Sequence, residues 1–418
     1  MSPITRLPTE TLTDIFLATC EDTLEVGDPS AVPMVIIQVL ERSHNRTLHI
    51  QFGAGEQGGL LPVSLKVLAI LATQSHRWGH LELSCSPSHL ALLDVIRDRI
   101  PVLVHLSIDL VHSDSVDFGH IDAFASAPQL KRVQFVGFYG AQIPLVPYNQ
   151  LTDFVDIRLY ANLSIHNQYL AILQQAQHIQ NFIARYTVDG PSIVTAPNPP
   201  ILCDSICAFT ASEGALFRSV VLPNLERVSV DPGWAPYLHE GPVIADLEAV
   251  PALLSMITKS QCQTTLTHIL MEDTLLTEDL IGIARLAPAL DEWRFSWTEW
   301  SRSNHGPLEQ LIKGLAEQTT TDEGKATFNL LPVLTGLHIS IHDLDDIVAV
   351  YFVGEILAST MEARLGAMGT SGRPFGVTVE CSLFYIQRRL LVCREAGHLC
   401  SITLSGRDVL EDEDSYFD

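Results

Sequence analysis

The amino-acid sequence predicts an α/β fold in which a short unit of helix, turn and strand repeats along the chain. The main observation is a phrase of nine residues with Pro at its second position, Leu at its fourth, and apolar residues at its seventh and ninth. Close copies of the phrase run from Ile100 to Ile108, Ala127 to Phe135, Leu222 to Val230, Ala287 to Phe295 and Leu331 to Ile339. Looser copies run from His76 to Leu83 and from Thr264 to Met271.

Each position of the phrase has a structural meaning. Pro has no backbone N–H and moves the preceding residue out of helical geometry, so it marks the end of a helix. Two apolar residues separated by a polar one show the period of two that is typical of a short strand. A strand that recurs after each helix implies a parallel sheet, as on the concave face of a leucine-rich-repeat-type solenoid. Spacings of 27 and 21 residues separate Leu103, Leu130 and Leu151, and wider gaps later indicate insertions or unrecognised units.

Helical and strand patterns alternate along the chain in the order that this unit requires. Helices are predicted within Ile4–Cys20 and over Met34–Arg42, Ser64–Ser75, Ser88–Arg99, Ile165–Gln175, Ile244–Lys259, Glu278–Leu286, Leu308–Gln318 and Asp343–Leu365. Strands outside the close copies are predicted over Thr47–Phe52, His80–Ser84, Val377–Cys381 and Ile402–Leu404.

Composition and charge restrict the class of protein. The chain has 418 residues, of which 47% are hydrophobic and 18% charged, so the core has an ample supply of apolar side chains. The formal net charge of −24 disfavours nucleic acid as a partner, because phosphate backbones are repelled. Neither a signal peptide nor a bilayer-spanning apolar run is recognised. Together with eight irregularly spaced cysteines, this favours a protein of the cytoplasm or nucleus with reduced thiols.

The N-terminal segment carries a second motif. Leu7 and Pro8 are followed by an acid, by Leu12 and by the pair Ile15 and Phe16, and this order resembles the opening of an F-box. The segments Val39–Phe52 and Ala72–Ser84 resemble phrases that follow the F-box in a large fungal family of F-box proteins with irregular leucine-rich repeats.

The resemblance implies a substrate-recognition subunit of a cullin-RING ubiquitin ligase. In that family the F-box binds the small adaptor subunit of the ligase and the repeats bind the target protein. The adaptor-facing positions here are Leu7, Pro8, Leu12, Ile15 and Phe16. The implied organisation is a partial F-box-like helix at 1–24, a linker and helix at 25–46, the irregular repeat solenoid at 47–410 and an acidic, disordered tail at 411–418.

The F-box of this chain departs from the family pattern. An F-box needs two further helices, but only 18 residues separate Cys20 from Val39 and they contain no Cys-Arg-x-Trp-like element. The sequence therefore predicts weak adaptor binding or none. A repeat scaffold that has lost adaptor binding is the alternative, with the N-terminal helix serving to cap the solenoid.

Motifs for catalysis and cofactors are weak. The run from Gly53 to Gly58 is formally GxGxxG between a strand and a helix, with Glu82 on the next strand, as in a dinucleotide site. Because Gly59 and Pro62 delay the helix, a loop is the favoured interpretation and an NAD(P)-dependent oxidoreductase a lesser alternative. Neither a catalytic motif nor a metal-ligand pattern is recognised, so the predictions are no enzyme, no cofactor and no metal.

The predicted target site lies on the sheet. The residue between the two buried apolar positions of each strand should face the concave side, which gives the row Glu82, Ser107, Gln134, Ser229, Arg294 and His338. This polar row suits an extended protein segment. Trp297 and Trp300, just past Arg294, are predicted either to be exposed anchors for the target or to cover the core under the following loop.

Overall fold

The chain is an α/β protein with a large parallel sheet and helices, as predicted. The computed structural model describes residues 32–53, 62–110, 121–138, 142–188, 197, 199–232, 246–320, 326–343, 359–360, 364, 376–381, 400–404 and 407–408. The chain divides into two compact units, Met1–Ile183 and Ala184–Asp418.

The first unit pairs its strands in sequence order. Its helices are α1 (Val32–Arg42), α2 (Pro62–Ala72), α3 (Pro87–Leu90) and α4 (Leu163–Gln175). Its strands are β1 (Leu48–Gly53), β2 (Trp78–Cys85), β3 (His105–Leu110), β4 (Arg132–Val136) and β5 (Asp153–Ala161), and β6 (Asn181–Val188) begins in it. Each pair from β1–β2 to β4–β5 is parallel, which fits one helical or looped crossover per strand.

One predicted helix of this unit differs in kind. In place of an α-helix over Ser88–Arg99, the chain forms the short α3 and then a 3₁₀ helix at Ala91–Ile96. The buried residues Leu90, Leu93 and Ile96 recur every three positions, which matches the three residues per turn of a 3₁₀ helix.

The second unit follows the same plan. Its helices are α5 (Gly214–Ser219), α6 (Ala249–Ser260), α7 (Asp279–Leu286) and α8 (His305–Ala316). Its strands are β7 (Ile201–Leu202), β8 (Ala208–Ala211), β9 (Val220–Val221), β10 (Arg227–Val230), β11 (His268–Glu272), β12 (Glu292–Glu299), β13 (Gln318–Thr320), β14 (Ala326–Phe328), β15 (Gly336–Asp343), β16 (Gly376–Cys381), β17 (Cys400–Leu404) and β18 (Arg407–Asp408). The sheet order β8-β10-β11-β12-β15-β16-β17 is parallel, and β18 is added antiparallel.

The apolar positions of the repeated phrase form the core of both units, as predicted. The Leu and the two alternating apolar residues of every close copy are at most 3% exposed. They are Leu103, Leu106, Ile108, Leu130, Val133, Phe135, Leu225, Val228, Val230, Leu290, Trp293, Phe295, Leu334, Leu337 and Ile339. Burying one such side chain contributes about 1.5–3 kcal/mol, so these residues are the main source of stability for the sheet.

A backbone hydrogen-bond series links successive units of the repeat. The residue after the key Leu donates its N–H to the carbonyl of the equivalent residue one unit earlier, at 2.8 or 2.9 Å. In the first unit the donors are Val104, Lys131, Thr152 and Gln180, and in the second Glu226, Thr267, Asp291 and Thr335. The series includes positions after Ile179 and Ile206, which identifies two repeats that the sequence pattern misses.

A buried ion pair lies in the core of the first unit. In the copy that begins at Tyr148, Asp156 occupies the final apolar position, and its side chain and that of Arg158 are 0% exposed. Arg158 Nε donates to Asp156 Oδ2 at 3.0 Å and the Tyr169 hydroxyl donates to the same oxygen at 2.8 Å. Burial alone would lower the pKa of Arg158, but the Asp156 carboxylate raises it, so the guanidinium stays charged.

The end of α8 is held by a buried arginine. Arg364 Nε donates to the Leu315 carbonyl at 2.8 Å and Nη2 to the Leu330 carbonyl at 2.7 Å, and the guanidinium lies 4.4 Å from the ring centre of Phe328. The bond to Leu315 satisfies a carbonyl that the helix C-terminus leaves open, and the bond to Leu330 ties this helix end to the segment that follows β14. Of the predicted helix over Asp343–Leu365, only Ser359, Thr360 and Arg364 lie inside the described residues, and they are helical.

Candidate protein-interaction face

Parallel pairing aligns the predicted row of polar residues. In the first unit Glu82 is the register partner of Ser107, and Ser107 that of Gln134. Gln51 and Val155 extend this row at its two sides. The five side chains lie opposite the buried apolar positions and are half-buried or exposed. The row therefore lies on the face of the sheet that does not carry the core.

The second unit has the corresponding row. Arg294 is the register partner of Leu270 on one side and of His338 on the other, and Ser229 and Thr378 continue the row. Arg294 is exposed, whereas Ser229 is only 8% exposed. The predicted residues Arg294 and His338 thus lie side by side on neighbouring strands.

Glu292 organises the charges of this second row. Its carboxylate is 3.1 Å from His338 Nε2, 3.5 Å from His268 Nε2, and paired with Arg294 Nε. Gly336 permits the close approach, since a Cβ there would lie 3.3 Å from the Glu292 side chain and 3.4 Å from His338 Nε2. One acid therefore holds two imidazoles and a guanidinium at fixed positions on the face, with Arg294 the most exposed of them.

Of the two alternatives predicted for Trp297, an exposed anchor is wrong and a place over the core is correct. Strand β12 continues to Glu299, so Trp293, Phe295 and Trp297 all lie on the core side, and Trp297 is 1% exposed. Its indole stacks on Phe295 at 5.6 Å and its Nε1 donates to the Thr274 carbonyl at 2.9 Å. Trp300 packs edge-on against Trp297 at 5.0 Å and is half-buried. Trp297 therefore belongs to the core and offers no anchor for a target.

A charged cluster in the second unit was missed by the sequence analysis. Arg185 Nε lies 2.7 Å from Asp231 Oδ2, and its Nη2 lies 3.6 Å from Glu272 Oε2. Burial, with the nearby charge of Asp231, raises the pKa of Glu272 to about 7. Glu272 can therefore exchange a proton near neutral pH. The three residues come from separate strand segments with no shared motif, so no local signal marks them.

The glycine-rich run has a partial structural context. Gly53 ends β1 and α2 begins at Pro62, while residues 54–61 lie outside the described part of the chain. Glu82 lies in the middle of β2, and His49 Nε2 is 3.3 Å from its Oε1. A dinucleotide site would place this acid at the strand end, free to contact a ribose.

Other predicted site residues are separated or not described. The adaptor-facing residues Leu7, Pro8, Leu12, Ile15 and Phe16 lie outside the described residues, as does the tail at 411–418. Across the described ranges, His, Cys, Asp and Glu form no group of three that could hold a metal ion. In the same ranges no helix has the length and apolar character needed to cross a bilayer.

No protein-family model matches the chain, and no curated protein matches its sequence significantly. Its function must therefore be inferred from its residues and their geometry.

Proposed function

We propose that this chain is a protein-binding repeat protein of the leucine-rich-repeat type, acting as a substrate-recognition subunit of the F-box kind in a cullin-RING ubiquitin ligase. The observation that carries the binding role is the in-register polar row on the sheet face opposite the core. The ligase assignment rests on the N-terminal motif and on the family resemblance of the sequence.

The solenoid part of the proposal is supported by the hydrogen-bond series between units. Eight repeats make the same backbone bond to the unit before them, at 2.8 or 2.9 Å, beside β-strands that pair in parallel. Repeat proteins stack in this way because each unit contacts its sequence neighbours. The strand faces opposite the core would then form the concave surface.

The binding part is supported by the chemistry of the row. In the second unit Arg294 and His338 are polar side chains on neighbouring strands, where the backbone amides and side chains of an extended segment can pair with them. Glu82 lies in the corresponding row of the first unit. Arginine in a well-packed interface often carries a large share of binding energy. The net charge of −24 makes a protein a better partner than nucleic acid.

Target binding is tested with Arg294→Ala and His338→Ala after a target is captured by proximity labelling in cells. If the residues are hot spots, we expect each change to weaken target binding by about 1–4 kcal/mol. Arg285→Ala is the matched control, because Arg285 is exposed on helix α7 away from the strand row. Unchanged affinity in both row variants, with folding intact, would remove this face as the target site.

Adaptor binding is tested by co-purification with the ligase adaptor. Stable interfaces bury about 800 Å² on each partner. A single apolar stripe at Leu7, Leu12, Ile15 and Phe16 supplies less, so we expect weak adaptor binding or none. Tight binding that is lost in Phe16→Ala would contradict this expectation and support a working F-box.

A repeat scaffold without a ligase role is the second candidate. It is favoured by the 18 residues between Cys20 and Val39, which leave no room for the other F-box helices. Sequencing of transcripts across residues 20–39 tells whether those helices are encoded. Their absence, together with failed adaptor co-purification, would favour the scaffold.

A further inference from the structure

A row of histidines crosses the first unit beside the polar row already described. His49, His80 and His105 are successive register partners on β1, β2 and β3, and Arg132 on β4 is the next partner. The ring centres of His49 and His80 are 5.1 Å apart, and those of His80 and His105 are 5.9 Å apart. We define these four residues as the histidine row.

The histidine row lies on the open face of the strands. His49 and Arg132 are exposed, and His80 and His105 are half-buried. The residue that follows each of them in its strand belongs to the core. Three adjacent strand spacings of about 4.8 Å give the row a length of about 14 Å. An extended segment places alternate side chains about 6.6 Å apart, so two or three of them reach the row.

The charge of this face determines which occupant fits, and that charge changes when the imidazoles take up protons. Other charged groups on this face are Glu82 on β2, Asp109 on β3 and Asp153 on β5, and Glu82 is already 3.3 Å from His49 Nε2. Against these three acids stand Arg132, whose register partner is Asp153 and whose charge is permanent, and the three imidazoles, which gain one charge each on protonation. The named groups of this face are therefore net negative while the imidazoles are neutral, and net positive, four charges against three, when all three are protonated. Nowhere else in the described residues do three histidines pair in successive register.

We propose that the histidine row binds an extended acidic protein segment, with carboxylates at alternate positions, and that binding is accompanied by proton uptake on the imidazoles. The length of the row fits several carboxylates on one strand-like segment better than one phosphate group, which reaches only neighbouring rings. This site lies on the first unit and does not depend on the ligase assignment or on the row that contains Arg294.

The direction of the pH dependence follows from the surroundings of the rings. Burial lowers the pKa of His80, and neighbouring His49 and Arg132 lower it further. Burial likewise lowers the pKa of His105, and the positive charge of Arg132 lowers it further. The buried Nδ1 of His105 has no hydrogen-bond partner among the described residues. Bound carboxylates favour the charged imidazoles and raise these pKa values. Affinity therefore rises as pH falls through the bound-state pKa values, and the rise continues below pH 6.5.

The test uses the full chain and two fluorescein-labelled peptides, one with Glu and one with Gln at alternate positions, in fluorescence anisotropy at about pH 6 and about pH 8. We expect the Glu peptide to bind about tenfold more tightly at the lower pH, as a shift of about one pKa unit would give, and the Gln peptide not to bind. The triple variant His49→Gln, His80→Gln, His105→Gln should lose this pH dependence. His178→Gln, at an exposed histidine outside the row, should retain it.

Equal binding of the two peptides, or an unchanged pH dependence in the triple variant, would overturn the proposal. So would histidine NMR signals of the row that respond to inorganic phosphate and not to the Glu peptide. If the triple variant does not fold, the wild-type NMR titration decides, because the proposal requires the pKa values of the row to rise when the Glu peptide is added.

Discussion

Two strands carry an acid and an arginine two residues apart, and the two pairs lie on opposite faces. On β5 of the first unit, Asp156 and Arg158 are both 0% exposed and contact the hydroxyl of Tyr169. On β12 of the second unit, the side chain of Glu292 is 20% exposed and that of Arg294 is 56% exposed. The same two-residue spacing thus gives a core ion pair in one unit and a surface pair in the other.

The position within the repeat phrase decides which face the pair occupies. Glu292 and Arg294 stand at the sixth and eighth positions of their copy, which face away from the core, whereas Asp156 stands at the ninth, which is a core position. A buried charge is tolerated only when it is paired and hydrogen-bonded. The position of a charged residue within the repeat phrase, and not the spacing of the acid and the arginine, therefore determines whether the pair is buried.

The largest effect is expected for Asp156→Ala. The change leaves the Arg158 guanidinium buried without its carboxylate, which should lower the free energy of unfolding by about 3–5 kcal/mol. Urea denaturation monitored by circular dichroism measures this loss. Glu292→Ala is the matched control and should lose at most about 1 kcal/mol, because its partners Arg294, His268 and His338 are all at least 35% exposed. Similar losses in both variants would abolish the distinction between the two pairs.

The sequence predicted the repeat and its core because the phrase is local. Pro, Leu and the alternating apolar residues identify a unit without knowledge of its neighbours, and the five close copies are buried as predicted. The units at Ile179 and Ile206 lack the Pro and have Ile in place of Leu, so they become visible only through their hydrogen bonds.

The candidate sites were predicted less completely, for two physical reasons. The length of β12 was not evident from the phrase, so Trp297 was placed beyond the strand although the alternation of Trp293, Phe295 and Trp297 was available in the sequence. The contacts of Arg185 with Asp231 and Glu272 join segments that are far apart in the chain. Such pairing depends on the register of whole strands, which no single segment encodes.

Replacing the whole buried polar group should cost much less than breaking it. The triple variant Asp156→Val, Arg158→Met, Tyr169→Phe removes the charges and the hydroxyl together, so none of the three polar groups is left buried without the other two. We expect its free energy of unfolding to lie within about 2 kcal/mol of the wild type, measured in the same urea experiment. A loss as large as that of Asp156→Ala alone would mean that packing, and not charge, sets the cost at this site.

A pH-dependent effect of intermediate size is expected at Glu272. Its pKa rises from 4.5 to about 7 on folding, so between these values the folded state holds a proton that the unfolded state has lost. Stability due to this group therefore falls as pH rises through this window and is constant above it. Because about a third of the side chain is exposed, solvent screening limits the effect to about 1 kcal/mol. The free energy of unfolding of Glu272→Gln, relative to that of the wild type, should therefore increase by this amount from the low-pH end of the window to the high-pH end.

Thermal denaturation at a series of pH values measures the difference between Glu272→Gln and wild type. Glu226→Gln, at an exposed glutamate outside the cluster, is the control and should follow the wild-type curve. A constant difference across the window would show that Glu272 does not change its protonation on folding.

The smallest effect on stability is expected for Arg294→Ala. Its pair with Glu292 is exposed on the arginine side, and such pairs contribute about 0–1 kcal/mol, so the free energy of unfolding should change by no more than this. The same urea experiment measures it, with Arg285→Ala as a control for loss of an exposed arginine. The result matters beyond its size, because a change that leaves folding intact can be used to test binding at this face. A loss above about 2 kcal/mol would instead make Arg294 a structural residue like Arg158, and the contrast between the two acid–arginine pairs would then fail.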